Sequence, residues 1–114
     1  MFGGLHEECG VMGIFAGRKA PVAEYAYLGL YALQHRGQES CGIAVAYANK
    51  IEYQKGMGLI PEVFSGNALS SLPEGDIAIG HVRYSTTGAS LAVNAQPIVF
   101  TGKCGKMAVA HNGN

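Results

Sequence analysis

The chain carries no net charge, because eight basic and eight acidic side chains balance. Its basic residues are scattered, so it offers no patch for nucleic acid or for an anionic membrane. It also lacks a long apolar run. The longest after Glu24, from Tyr25 to Leu33, falls far short of the ~20 residues that cross a bilayer. No basic segment leads into an apolar one at the N-terminus, which excludes a secretory signal. These absences predict a cytoplasmic protein. Cysteine is sparse: Cys9, Cys41 and Cys104 form no CxxC pair, so neither a zinc site nor a disulfide framework is indicated. His6 and Cys9 stand three apart, but two candidate ligands fall short of a metal site.

What the chain does have is glycine, 17 of 114 residues, against a usual share of about 7%. Such a chain can turn tightly and bring backbone close to backbone. Its length suits one domain with its own core. Residues 9–16 alternate small and apolar residues and predict a buried strand. Pro21 suits the first position of a helix reaching about Gln34. That helix is apolar nearly all round (Val22, Tyr25, Ala26, Leu28, Leu30, Leu33), which predicts burial on more than one side.

Residues 35–39 read as a polar break. Residues 41–47 and 51–55 predict a hairpin around Ala48-Asn49-Lys50. A looser stretch over 56–73 holds a short helix at 61–65. A strong strand follows over 76–84, then a loop of small residues over 85–94. Two last strands, 97–100 and 106–110, are expected to join at Thr101-Gly102. The class is mixed α+β. Cys41 reads as core, and Cys104, in a Gly-Lys-Cys-Gly-Lys turn, as an exposed thiol. A strand that stopped at His111-Asn112-Gly113-Asn114 would leave an open sheet edge. The expectation is therefore a fragment, the first part of a layered domain.

Cys9 has two readings. Free cysteine is among the most buried residue types, so it suits a strand core. At a freed chain end it would instead carry its own base. An α-amino group has a reference pKa of about 7.7–8.0, against about 10.4 for lysine. It can take the thiol proton directly or through one water. While Glu8 remains attached, that nitrogen is an amide without useful basicity, so the chain reads as a precursor.

Four segments decide between these readings: Cys9-Gly10-Val11-Met12-Gly13-Ile14-Phe15, Leu33-Gln34-His35-Arg36-Gly37-Gln38-Glu39-Ser40, Gly80-His81-Val82-Arg83-Tyr84-Ser85-Thr86 and His111-Asn112-Gly113-Asn114. In this order they resemble the N-terminal glutaminase domain of the amidophosphoribosyltransferase family. That domain is a class II glutamine amidotransferase with the N-terminal-nucleophile hydrolase fold. The resemblance implies a four-layer αββα sandwich, of which only the N-terminal part is expected here. It also implies a propeptide over 1–8 and an incomplete glutamine amidotransferase domain over 9–114.

By the same resemblance Cys9 is the nucleophile, and Asn112 and Gly113 form the oxyanion hole. Arg83 would hold the glutamine α-carboxylate, with Thr86 a further substrate contact. Arg36 and Gly37 would lie on a loop close to the nucleophile. The family releases ammonia from glutamine and passes it to phosphoribosyl pyrophosphate. The product is 5-phosphoribosylamine, in the first committed step of de novo purine (IMP) biosynthesis. Its Mg2+ and, in some members, a 4Fe-4S cluster are expected outside this chain. A homo-oligomer is expected of the full-length protein.

Plainer readings exist for each residue alone. Arg83 suits a surface ion pair, His81 suits packing, and Asn112-Gly113 suits a turn. Rival functions are another class II amidotransferase, of the glucosamine-6-phosphate synthase type, and a non-catalytic glutamine-binding regulatory domain. The leader ending Glu7-Glu8 and the Gln34–Ser40 wording favour the first reading.

Overall fold

The computed structural model describes residues 10–34, 38–84 and 94–111. Strand β1 (Gly10–Ala20) leads into helix α1 (Val22–Leu33), then β2 (Gln38–Tyr47) and β3 (Lys50–Met57). A short helix α2 (Ile60–Val63) precedes β4 (Gly75–Tyr84), and a hairpin of β5 (Ile98–Gly102) and β6 (Gly105–Val109) follows. Strands β1 to β4 form one antiparallel sheet in the order β1-β4-β2-β3, and β5 pairs with β6 in a second. Strand β4, last of the four in sequence, thus lies inside the sheet between β1 and β2.

Alternation along the strands sorts the side chains to two faces. Cys41, Ile43 and Val45 of β2 join Ala78, Val82 and Tyr84 of β4 in the core, against Val22, Ala23, Ala26 and Leu30 of α1. Gly80 lets the helix settle, since a Cβ there would stand 2.8 Å from the Leu30 side chain. The opposite face is small. Ala44, Ala46, Ile77 and Ile79 line an apolar gap that reaches Ala108 of β6. Gly42 faces the same way, and a Cβ there would collide with the carbonyl oxygen of Gln96. Lys55 spans the layers, donating from Nζ to the carbonyls of Ala95 (3.0 Å) and Pro97 (3.1 Å).

Several sequence expectations need correction. Among the described residues helix α1 is covered by the sheet and, at Tyr27, by the edge-on ring of Phe64, while Tyr25, Leu28 and Tyr31 are 45%, 65% and 52% exposed. An all-round apolar pattern reports what a helix tolerates, and the sheet covers a single stripe of it. Pro21 is the N-cap of α1, not its first helical residue. Of the polar break, residues 35–37 lie outside the described residues, and Gln38 and Glu39 already belong to β2. The ladder there places Gln38 opposite Tyr84 and Ser40 opposite Arg83. One extra residue, Glu39, is therefore bulged out of β2.

The last hairpin turns at Lys103-Cys104, with Thr101 and Gly102 still in β5. Gly105, at φ +109°, supplies the left-handed backbone that closes this turn. The β2–β3 hairpin turns at Ala48-Asn49, both with positive φ, as a right-handed strand twist requires of a two-residue loop.

Candidate active site

One end of β4 gathers the described flanks of the chain's motifs. Gly10, the residue after Cys9, stands opposite Val82 in the β1–β4 ladder. Ser40 of the second motif stands opposite Arg83 in the β2–β4 ladder. The Tyr84 hydroxyl donates to the carbonyl of Leu33, at 3.2 Å. His111, the residue before Asn112, meets His81: the ring Nε2 lies 2.9 Å from the His111 carbonyl oxygen. Residues spread over a hundred positions are thus tied to one strand by backbone ladders and side-chain bonds.

Arg83 donates from Nε to Glu39 Oε2 at 3.1 Å, with the two side chains only 14% and 11% exposed. The bulge brings this carboxylate to the guanidinium, a common use of bulges beside functional sites. The Glu39 carbonyl in turn accepts from the Gly58 N–H at 2.9 Å. Gln38 donates from Nε2 to the Gly58 carbonyl at 2.6 Å, and Gln34 Oε1 accepts from the Ile60 N–H at 3.2 Å. The glutamines of the second motif therefore anchor the segment leading into α2.

His81 is fully buried. A carbonyl can only accept, so the His111 bond places the ring proton on Nε2. Among the described residues Nδ1 has no partner, and neither has the buried Ser40 Oγ. Burial lowers the His81 pKa below 6.5, and nearby Arg83 acts the same way, while the His111 carbonyl opposes them. The His111 N–H donates to Gln96 Oε1 at 2.6 Å, so the chain entering Asn112 is held from both sides.

Of the residues expected to form the site, only Arg83 is described. Cys9, Arg36, Gly37, Thr86, Asn112 and Gly113 lie outside the described residues, as do His6 and the stretch 1–8. Cys41 is core, as expected, with burial pushing its thiol up to about 12 and the charge of Glu62 adding to the effect. Cys104 is exposed. A shallow depression lined by Tyr47, Asn49, Asp76 and Cys104 lies at the other ends of β2 and β4, away from the motifs.

No family model matches the chain. Individual relatives do. Over 110 residues it is 56% identical to amidophosphoribosyltransferase 3, chloroplastic, of Arabidopsis thaliana, covering 96% of this chain and 20% of that protein. Over 112 residues it is 49% identical to the amidophosphoribosyltransferase of Bacillus subtilis, covering 97% of this chain and 23% of that protein. A solved structure of an allosteric regulatory enzyme of purine biosynthesis superposes with a TM-score of 0.72 at 44% identity, over 86% of this chain and 21% of that one. The chain belongs to the amidophosphoribosyltransferase family, as its N-terminal region.

It spans about a fifth of the length of these amidophosphoribosyltransferases. The B. subtilis glutamine phosphoribosylpyrophosphate amidotransferase, solved with ADP and GMP, gives a TM-score of 0.68 at 42% identity, over 88% of this chain and 21% of that one. Some family members are named chloroplastic, and no helix among the described residues is long and apolar enough to cross a membrane. Reading the sequence gave Glu39 no separate role and His81 only packing. Their spacing from Arg83 in sequence carries no sign that a bulge and a second sheet bring partners to them.

Proposed function

We propose that this chain is the glutamine-hydrolysing part of an amidophosphoribosyltransferase. The observation that carries the reading is the convergence of the motif flanks on the end of β4. Gly10, Ser40 and His111 all meet the stretch from His81 to Arg83.

In this reading cleavage after Glu8 exposes the Cys9 α-amino group, which takes the thiol proton. The thiolate attacks the side-chain amide carbon of glutamine, and the C–N bond breaks to release ammonia and leave a thioester. Water then hydrolyses the thioester to glutamate and restores the thiol. The Asn112 amide and the Gly113 N–H hold the oxyanion of each tetrahedral intermediate. One such donor is worth about 10²–10³ in rate. Arg83 grips the α-carboxylate, for which a planar guanidinium fork is suited. Thr86 contacts the substrate, and Arg36-Gly37 line the approach.

The ammonia would displace pyrophosphate from phosphoribosyl pyrophosphate in a part of the protein beyond this chain, giving 5-phosphoribosylamine. The α-β-β stacking of α1, the four-stranded sheet and the β5–β6 hairpin supports an αββα sandwich. Val11, Phe15 and Ile77 stay exposed on the face that further strands of the second sheet would cover. A cytoplasmic homo-oligomer is proposed on the same footing. No group of three or more His, Cys, Asp or Glu residues among those described stands together as a metal site. No step here is assigned to Mg2+ or to an iron–sulfur cluster.

The test is Cys9→Ala in the full-length protein. Loss of glutamine-dependent turnover is expected, and retained turnover overturns the assignment.

A further inference from the structure

We infer that Glu39 is the positioning residue for Arg83: from the β2 bulge its carboxylate holds the guanidinium side-on, leaving the terminal nitrogens for the glutamine α-carboxylate. The inference rests on the proposed role of Arg83.

A guanidinium presents N–H donors along two usable edges, one through Nε and one between the two terminal nitrogens. Glu39 uses the first, at 3.1 Å. The terminal edge stays available, and it too can meet a carboxylate through two parallel bonds. An arginine held by nothing would have to give up rotamer freedom on each binding event. Here that freedom is already lost, because both side chains are largely buried and the Glu39 backbone is itself pinned to Gly58.

The bulge is the means. In a regular ladder with Ser40 opposite Arg83, the preceding residue of β2 would point to the opposite face of the sheet. The extra residue between Ser40 and Gln38 breaks that alternation and lets the Glu39 carboxylate reach Arg83. The pairing has an electrostatic consequence. Glu39 cancels the guanidinium charge, so the site recognises a carboxylate by a fixed fork more than by free positive charge. A buried guanidinium left without that partner would be costly to keep in place.

The experiment is done on the full-length enzyme with two substrates: glutamine, and 4-aminobutanamide, which is glutamine without its α-carboxylate. The readout is the ratio of their kcat/KM values. Glu39→Gln keeps the shape and removes the charge. It is expected to lower the ratio about tenfold, through a higher KM for glutamine with kcat affected less. Glu39→Asp retains the charge one methylene further back and is expected to lose about threefold. A Glu39→Gln enzyme that loses both substrates equally, or keeps the ratio, overturns the inference. If Glu39→Gln does not fold, an unchanged ratio in Glu39→Asp overturns it instead. Arg83→Ala separates the two levels. If it leaves the ratio intact, the reading of Arg83 itself fails. If it collapses the ratio while Glu39→Gln does not, only the positioning role fails.

Discussion

His81 and His111 join two strands that no backbone ladder connects. The His81 ring reaches from β4 of the first sheet to the carbonyl just past β6 of the second, at 2.9 Å. This is a side-chain tie between sheets, made by a buried group in its neutral form.

Burial of His81 sets a pH dependence, and the bond to the His111 carbonyl works against it. His81 has a pKa lowered below 6.5 by burial, so between that lowered value and 6.5 the unfolded chain binds more protons than the folded one. Stability is therefore complete above about 6.5 and falls as pH drops through that window. Native-state hydrogen exchange of the β4 amides in the full-length protein should show weaker protection at pH 5.5 than at pH 7.5. In His81→Gln, the part of that slope owed to His81 should vanish.

At Gly42 the segment before β5 lies directly against the sheet. Gly42→Ala puts a Cβ against the Gln96 carbonyl and 3.0 Å from Pro97 Cδ. Overpacking of this kind costs about 1–3 kcal/mol. A lowered Tm is expected, together with weaker exchange protection in β5 and β6. An unchanged Tm would mean that the 95–97 segment sits elsewhere.

The cysteines should differ sharply towards an alkylating reagent. Cys41, buried and with its thiol pushed up to about 12, should stay unlabelled at pH 7.5 in the folded protein. Cys104, exposed at its turn, should react readily. Mass mapping of labelled peptides reads both, and early labelling of Cys41 would contradict the packing described for β2.

Arg83→Lys retains the charge but loses the fork. On the proposed reading it should raise KM for glutamine about tenfold, with a smaller change in kcat. Steady-state glutaminase kinetics on the full-length protein check this. An unchanged KM would remove Arg83 from substrate binding.

The amino-acid sequence alone determined the elements and the family. Alternation over residues 9–16 and 76–84, the apolar run after Pro21 and the turn at Ala48-Asn49 are local signals, and each element lies where these place it, within a few residues. Gly102 was less legible: its pairing partner Gly105 takes the positive φ, and sequence alone does not say which of two nearby glycines will. Motif order carried the family because it needs no geometry at all.

Only the tertiary structure decided what covers α1, where the bulge falls and which residues meet. Burial of a helix depends on how many layers contact it, which its own pattern does not encode. The Glu39–Arg83 pair and the His81–His111 tie join residues 44 and 30 positions apart. Such contacts arise from strand order and from a single residue's shift in register, which are set by the packing of the whole chain and by no segment of it.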